Sequence, residues 1–446
     1  MIEKLFEAKK LSSQTQSPDY PEPLIIPRKD HPISRQQLDR EALKVLYRLR
    51  DAGFTACLVG GGVRDLYLGK TPKDFDISTN ARPGQLRKLF RNSRTIGRRF
   101  RLVQVFFRGN KIIEVSTFRC RSEFDINGKD KVLAANNTFG SMADDAFRRD
   151  LTINSLFYEV ENFTIIDYTG GVADLNNRIV RIVGDAERRI TRDPVRMMRA
   201  IRHASRTGFA IEEKTWQAIV DHRETLNICP VSRIRDELFK DLHGTAIQAW
   251  ARLSIDSGLF FIIFPFYENI VSDKKNEKTS LLLSLFKVMD RLHKEGYTIP
   301  DHLLLALLLI PWAQHTFPLM REKITGKEAY AMSRDIKAAL DENLPHLNIK
   351  RADKEHIAGL LANLSLFAGL YKTGKWPRWL TRKSYFKEGS QFYRIFREAS
   401  GGKPVNSLKL EQKAKKPKSR KRGSRSTGWK VAYAPNTRGG VFGFKK

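Results

Sequence analysis

The stretch LVGGGVRDLYLGKTPKDFDIST, residues 58–79, combines a glycine-rich turn with two closely spaced aspartates. Asp74 and Asp76 are two positions apart, so on a β-strand their side chains point to one face while Phe75 points to the other. Two carboxylates held side by side repel each other unless a cation lies between them. Because Mg²⁺ prefers oxygen ligands, this spacing suits a magnesium site, and a solvated strand face is the simpler alternative.

A third carboxylate, Glu114, favours the metal interpretation. It lies in KIIEVSTF, residues 111–118, between Ile113 and Val115, which we expect to face the core. An acidic side chain in the middle of an apolar strand requires a partner. A metal ion shared with the two aspartates would supply one.

The glycines at 60–62 allow a tight turn after a strand, with backbone N–H groups free to meet phosphate oxygens. Arg64 would add positive charge there. The sequence GKT at 69–71 resembles the end of a P-loop, but Arg64 stands where that loop needs glycine, and Pro72 follows. A dinucleotide-binding fingerprint also fails, because Asp65 occupies the place of its third glycine.

The charge of the chain predicts a polyanionic partner. Its 446 residues contain 80 Lys and Arg against 49 Asp and Glu, a formal net charge of +31. Such an excess is typical of proteins that bind nucleic acid or an anionic membrane surface. The three cysteines are far apart, which excludes a disulfide framework or zinc finger and fits a reducing cytoplasm. The longest apolar run, residues 303–313, is too short for a transmembrane segment and predicts a buried helix.

Changes in composition and periodicity divide the chain into four predicted segments. They are a flexible N-terminal arm (1–35), a mixed α/β head (36–143), a helical region (144–402) and a basic tail (403–446). The tail contains fourteen Lys or Arg and one Glu, a net charge of +13. It is too charged and too poor in apolar residues to fold alone, so we expect it to be disordered.

Four stretches in fixed order resemble one enzyme family. They are LVGGGVRDLYLGKTPKDFDIST, RRDLTINSLFY (148–158), DYTGGVADL (167–175) and RDPVRMMRAIRHASRTGF (192–209). Together they resemble the class II nucleotidyltransferase superfamily, which contains tRNA CCA-adding enzymes and bacterial poly(A) polymerases. The resemblance implies an α/β nucleotidyltransferase head with a polymerase-β-like palm. It also divides the helical region into an all-α neck (144–242), which recognises the base and binds RNA, and an all-α body (243–402), which binds RNA.

The resemblance also assigns roles to individual residues. It implies metal ligands at Asp74, Asp76 and Glu114, and catalytic acidic residues at Asp74, Asp76 and Asp150. It implies nucleotide binding by Gly61, Gly62, Arg64, Arg149, Asp193, Arg196 and Arg199. The family usually has Glu where this chain has Arg192, which predicts looser support for the helix that recognises the base.

Base recognition by Asp193 and Arg196 has its own physical rationale. Three positions apart, they would share one helix face. An aspartate can accept from the exocyclic amine of adenine or cytosine, and an arginine can donate to the adjacent ring nitrogen. A plain helical ion pair is the simpler alternative. In SRIRDELFKDL, residues 232–242, which resembles a family neck helix, the charged side chains could likewise form only a solvated face.

The segment TIGRRFRLVQVFF, residues 95–107, distinguishes the two branches of the family. Arg98, Arg99 and Phe100 match the pattern of bacterial poly(A) polymerases, and the basic tail suits sequence-independent contact with RNA. We therefore expect a Mg²⁺-dependent enzyme that adds AMP from ATP to RNA 3′ ends without a template. A CCA-adding enzyme and a non-catalytic RNA-binding protein are the alternatives. RNA-decay or RNA chaperone proteins are further candidate partners, and the expected location is the cytoplasm.

Overall fold

An eight-stranded mixed sheet organises the first part of the chain. The computed structural model describes residues 20–97, 101–120, 139–271, 277–321, 324–372 and 376–406. The strands of the sheet are β1 (Leu24–Ile26), β2 (Ala56–Val59), β3 (Asp76–Thr79), β4 (Ser93–Ile96), β5 (Leu102–Phe106), β6 (Ile112–Thr117), β7 (Phe157–Glu159) and β8 (Thr164–Asp167). Their spatial order is β1-β8-β7-β2-β3-β6-β5-β4. The neighbouring strands β3 and β6 are the only parallel pair within this described sheet.

Alternation along the strands separates an apolar face from a polar one. Val103 and Val105 on β5 are buried, whereas the residues between and beside them are half-buried. Ile77 on β3 lies opposite Val115 on β6, which lies opposite Val103, and all three are fully buried. The residues next to each of these in sequence therefore point to the opposite face of the sheet. This alternation of side chains along the strands brings polar groups together on that face.

Four short helices accompany the sheet. They are α1 (Arg40–Asp51), α2 (Gly61–Tyr67), α3 (Pro83–Leu89) and α4 (Met142–Phe147). Helix α1 begins where the Asp39 carboxylate accepts from the backbone N–H groups of Glu41 and Ala42, at 3.0 and 3.1 Å. Such a cap satisfies donors that the first turn leaves unpaired. Val45 and Leu49 on its inner face are fully buried.

Helices dominate the chain after the sheet. The first group is α5 (Gly171–Asn177), α6 (Ala186–Arg192), α7 (Val195–Thr207), α8 (Glu213–His222), α9 (Val231–Leu242) and α10 (Ile247–Asp256). A two-stranded parallel sheet, β9 (Ile179–Val180) with β10 (Ala210–Ile211), lies among them. The remaining helices are α11 (Leu259–Ile263), α12 (Glu268–Val271), α13 (Glu277–Lys294), α14 (Asp301–Leu308), α15 (Ile310–Thr316), α16 (Gly326–Asn343), α17 (Arg351–Ala362), α18 (Leu364–Lys372), α19 (Arg378–Thr381) and α20 (Phe386–Ala399).

The apolar run at 303–313 is buried throughout, as predicted, and it forms two helices because Pro311 stands in the first turn of α15. Within the described residues, no helix combines the length and apolar character needed to cross a membrane.

Two of the predicted boundaries need correction. Residues 24–26, expected in a flexible arm over 1–35, form edge strand β1 against β8, and Ile33 is fully buried. The backbone pairing with β8 and the buried side chain of Ile26 explain the order. The head predicted for 36–143 is also too short, because β7 and β8 complete its sheet from beyond that boundary. Residues 1–19 and the tail from 407 onward lie outside the described part of the chain.

Candidate active site

Three polar residues form a row across the central strands. Asp76, the first residue of β3, lies directly opposite Glu114 on β6, which lies opposite Gln104 on β5. The Gln104 Nε2 donates to Glu114 Oε1 at 2.9 Å. Asp74 lies two residues before β3 rather than on it, which corrects the expectation that both aspartates share the strand. We call this side of the sheet the carboxylate face.

The charge on the carboxylate face is concentrated. Desolvation by the surrounding protein, followed by repulsion from Glu114 and Asp74, raises the pKa of Asp76 to about 6, although Arg149 opposes the shift. The side chains of both aspartates are exposed, so solute ions can reach them. Within the described part of the chain, none of the three carboxylates forms an ion pair with Lys or Arg, taken as a nitrogen–oxygen distance of at most 4.0 Å. Oxygen donors without a fixed cationic partner suit a hard divalent cation.

The glycine turn brings Arg149 close to this face. Gly60 has φ 70° and ψ −141°, a conformation that is essentially restricted to glycine. A Cβ at Gly60 would lie 3.3 Å from Arg149 Nη1, and one at Gly62 would lie 3.3 Å from the backbone oxygen of Asp74. The turn therefore permits close approach both of the arginine and of the loop that carries the first aspartate.

Arg149 is held by groups beneath it. Its Nη2 donates to Asp145 Oδ2 at 2.8 Å and to Ser78 Oγ at 3.3 Å, on the carboxylate face. Burial alone would raise the pKa of Asp145, but the guanidinium groups of Arg149 and Arg148 outweigh it and hold that pKa below its usual range. Asp145 was not identified from the sequence, although its spacing of four from Arg149 matches a helical ion pair.

Arg64 lies at the centre of a second network. Its Nε and Nη2 donate to Asp65 Oδ1 at 2.9 and 2.8 Å, and its Nη1 donates to Asn154 Oδ1 at 2.6 Å. The same Nη1 lies 3.1 Å from His203 Nδ1. Burial, reinforced by the Arg64 charge, lowers the pKa of His203 to about 3. The imidazole is therefore neutral at physiological pH, and its Nδ1 accepts from the guanidinium.

Sequence reasoning missed Asn154 and His203, although both lie inside the stretches that carried the resemblance. His203 follows Arg199 by four positions on α7, so helical spacing places both on one face. That spacing was the available signal, whereas the approach of Arg64 from another helix was not visible in the sequence.

Asp150 is a paired carboxylate. It accepts from Arg199 Nε at 2.5 Å and from the backbone N–H of Leu151 at 2.9 Å. Burial opposes ionisation, but the charges of Arg199 and its basic neighbours hold the pKa of Asp150 well below its usual range. At neutral pH the carboxyl group thus carries no proton to donate, and its geometry serves to orient the Arg199 guanidinium.

Asp193 and Arg196 lie close together, but not on one helix face as expected. Helix α6 ends at Arg192 with Asp193 as its C-cap, Pro194 follows, and α7 begins at Val195. Proline lacks a backbone N–H and disfavours helical geometry in the preceding residue, so the helix breaks here. Arg196 Nε remains 3.8 Å from Asp193 Oδ2. A cavity of about 110 Å³ beside them is lined by residues from 183–185, Arg188, Arg189, Arg192, Asp193 and Arg196.

Helix α9 supplies counter-ions to this region, so its charges are not merely a solvated face. Arg233 Nη1 lies 2.8 Å from Asp193 Oδ1. Glu237, only 8% exposed, pairs with Arg202 and with Lys240 Nζ at 2.9 Å. The sequence left the role of these side chains open because the helix they face was unknown.

Arg98, Arg99 and Phe100, the predicted specificity segment, lie outside the described residues.

Comparisons with known proteins follow the same division of the chain. Residues 56–181 match the family model described as "Poly A polymerase head domain". Residues 208–270 match the model described as "Probable RNA and SrmB- binding site of polymerase A". The poly(A) polymerase I of Escherichia coli O6:H1 is 40% identical over 341 residues, which span 74% of this chain and 73% of that relative.

CCA-adding enzymes are also similar. The enzyme of Lactobacillus helveticus is 43% identical, but over 201 residues that span 45% of this chain and 49% of that relative. The structure of the Bacillus stearothermophilus CCA-adding enzyme in complex with CTP matches with a TM-score of 0.59 and 26% identity, covering 82% of this chain and 79% of that one. The chain is therefore a nucleotidyltransferase that belongs to the bacterial poly(A) polymerases of the class II tRNA nucleotidyltransferase/poly(A) polymerase family.

Proposed function

We propose that this protein adds AMP from ATP to RNA 3′ ends without a template. The observation that carries the proposal is the extent of similarity to poly(A) polymerase I, which spans 74% of the chain, whereas the match to a CCA-adding enzyme spans 45%. The net charge of +31 supports sequence-independent contact with the RNA backbone. Cytoplasmic location and contact with RNA-decay or RNA chaperone proteins are further parts of the proposal.

In the proposed reaction, the 3′-hydroxyl oxygen of RNA forms a bond to the α-phosphorus of ATP. The bond from that phosphorus to the bridging oxygen of the β-phosphate breaks, pyrophosphate leaves, and the hydroxyl proton passes to solvent water. Asp74, Asp76 and Glu114 would hold Mg²⁺ ions, which would lower the pKa of the attacking hydroxyl and neutralise charge on the phosphates. Among the described residues these carboxylates have no Lys or Arg as an ion-pair partner, which supports this assignment. The raised pKa of Asp76 fits it, because burial and then repulsion from Glu114 and Asp74 disfavour its negative charge.

The positive groups would position the nucleotide. Gly61 and Gly62, at the start of α2, would bind the triphosphate together with Arg64. Arg149 lies beside the carboxylate face, where it can neutralise a phosphate next to Asp76. Because these guanidinium groups are already held by buried acceptors, little reorganisation is needed when the substrate binds.

The remaining residues would select and orient the nucleoside. Asp193 and Arg196 border the cavity and would offer the base an acceptor and a donor, a pattern that fits adenine and cytosine alike. Arg196 would first have to release the backbone oxygens of Arg149 and Arg148, to which it donates at 3.2 and 3.5 Å. Asp150, ionised and bonded to Arg199, would orient that arginine towards the substrate. The CCA-adding alternative rests on this shared hydrogen-bonding pattern and on the related enzyme solved in complex with CTP.

Primer extension on an unstructured RNA with ATP tests the catalytic assignment. We expect Asp76→Asn to abolish extension while filter binding of the RNA persists, because the substitution removes a metal ligand and leaves the basic surface intact. Asp51→Asn, an exposed position at the end of α1, is the matched control and should extend the primer normally. Substantial extension by Asp76→Asn in Mg²⁺ would refute the assignment.

A further inference from the structure

Three helices of the body bring two histidines and a glutamate together. His302 lies on α14, His356 on α17 and Glu388 on α20. One ligand atom from each side chain lies within 4.8 Å of the other two. The residues are distant in sequence, so the packing of the body helices alone creates the cluster.

The detailed geometry differs from that of a hydrogen-bonded ion pair. His302 Nε2 is buried and has no hydrogen-bond partner among the described residues. It lies 3.3 Å from Glu388 Oε2, in an orientation that forms no hydrogen bond. The His302 and His356 rings have centroids 5.0 Å apart and an interplanar angle of 69°. A plain ion pair would aim the imidazole N–H at the carboxylate, whereas two ligands of one metal both aim at a point between them.

One of the three separations matches the coordination shell of zinc. Zinc binds His nitrogen at about 2.0–2.1 Å and carboxylate oxygen at about 2.0–2.2 Å, almost always tetrahedrally in structural sites. Adjacent ligand atoms of such a tetrahedron are roughly 3.3–3.5 Å apart. The His302–Glu388 separation already has this value. His356 is exposed, so its side chain can adjust to complete the shell.

We propose that His302, His356 and Glu388 bind a divalent transition-metal ion, for which zinc is the probe. Two imidazoles and one carboxylate suit zinc and its neighbours, whereas Mg²⁺ prefers an all-oxygen site. Water would occupy the fourth position. The ion would join α14, α17 and α20, which lie in a different part of the chain from the carboxylate face, so the site would stabilise the helical body rather than take part in nucleotide transfer.

Zinc titration of the full-length chain tests the proposal, with Mg²⁺ in large excess to occupy the exposed carboxylates of the head. Calorimetry should show a site of about 1:1 stoichiometry, and zinc should raise the melting temperature because it binds the folded state. His356→Ala should weaken binding roughly tenfold or more, since even indirect supporting groups contribute about 10- to 100-fold to metal affinity. Its side chain is exposed, so the variant should fold.

His315→Ala is the matched control, because His315 is an exposed histidine on α15 outside the cluster. It should bind zinc like the parent protein. Glu388→Gln gives an independent variant that removes the anionic ligand while preserving shape, and it should also weaken binding. Absence of zinc binding by the parent protein would overturn the proposal. Equal binding by the parent, His356→Ala and Glu388→Gln would overturn it as well, leaving His302 and Glu388 as an ordinary ion pair.

Discussion

Replacing Arg233 by Met should weaken the use of ATP without abolishing nucleotide transfer. Arg233 Nη1 lies 2.8 Å from Asp193 Oδ1, and the two side chains are 27% and 13% exposed. These two atoms form an ion pair without a hydrogen bond, and a half-buried pair falls between the roughly 0.2–1 kcal/mol of an exposed pair and the 3–5 kcal/mol lost on breaking a buried one, which gives a range of about 1.5–3 kcal/mol. Arg196 Nε, 3.8 Å from the other oxygen, would retain part of the restraint on Asp193, so we adopt the lower part of that range.

A loss of about 1.5–2 kcal/mol corresponds to a fall in kcat/KM for ATP of roughly 10- to 30-fold. Steady-state primer extension at saturating RNA measures it, and we expect the effect mainly in KM because Asp193 would contact the base rather than the reacting phosphate. Arg235→Met is the control, since it removes the same charge from the same helix but from a side chain paired with exposed Asp236. Equal kinetics for the two variants would refute the proposed link between α9 and base recognition.

The remaining predictions concern a buried imidazole, a glycine and the tail. His203 has a pKa of about 3 in the folded protein against 6.5 ordinarily, so the unfolded state takes up a proton more readily and acid favours unfolding. The free energy of unfolding of the parent protein should therefore fall by up to about 2 kcal/mol between pH 7 and pH 5. Urea unfolding of His203→Gln should lack this extra destabilisation, and an equal decrease would contradict the assignment. Gly60→Ala should destabilise the fold by roughly 1–3 kcal/mol and also displace Arg149, reducing primer extension. Gly53→Ala, at φ +78° with nothing within 4 Å, should retain activity, and equal activities of the two variants would contradict the steric argument. Truncation after Asn406 should make RNA binding less salt-dependent, with a slope shallower by about 0.7 for each phosphate that the tail binds in the full-length chain; an unchanged slope would mean that the tail does not bind RNA.

The head could be predicted well because its chemistry is local in sequence. The alternation in β5 and β6 and the glycine turn fix which side chains face the core. The N-terminal strand could not be predicted in the same way. Residues 24–26 are only three residues long and gain order from pairing with β8, about 140 positions later in the chain. Such tertiary pairing overrides a local pattern rich in proline.

The charged residues of the site could be predicted from the sequence, but the residues that each of them contacts could not. Sequence spacing placed Asp193 and Arg196 on one helix face, and Pro194 in fact divides two helices there. Their proximity survives because the turn at Pro194 is tight, with Arg196 N donating to Asp193 O at 3.0 Å. The roles of Arg233 and His203 depend on which helices meet in space, and a single sequence carries no direct record of that.

Product sequencing after a mixed-nucleotide reaction tests the central claim most directly. The full-length chain is incubated with equal ATP and CTP, on an unstructured RNA and separately on a tRNA that lacks its 3′ end. We predict long adenylate tails on the unstructured RNA, with ATP preferred by roughly 10- to 100-fold, equivalent to about 1.4–2.7 kcal/mol of transition-state binding. Tails of mixed A and C, or a reaction that stops after C-C-A on the trimmed tRNA, would contradict the assignment and favour a CCA-adding enzyme.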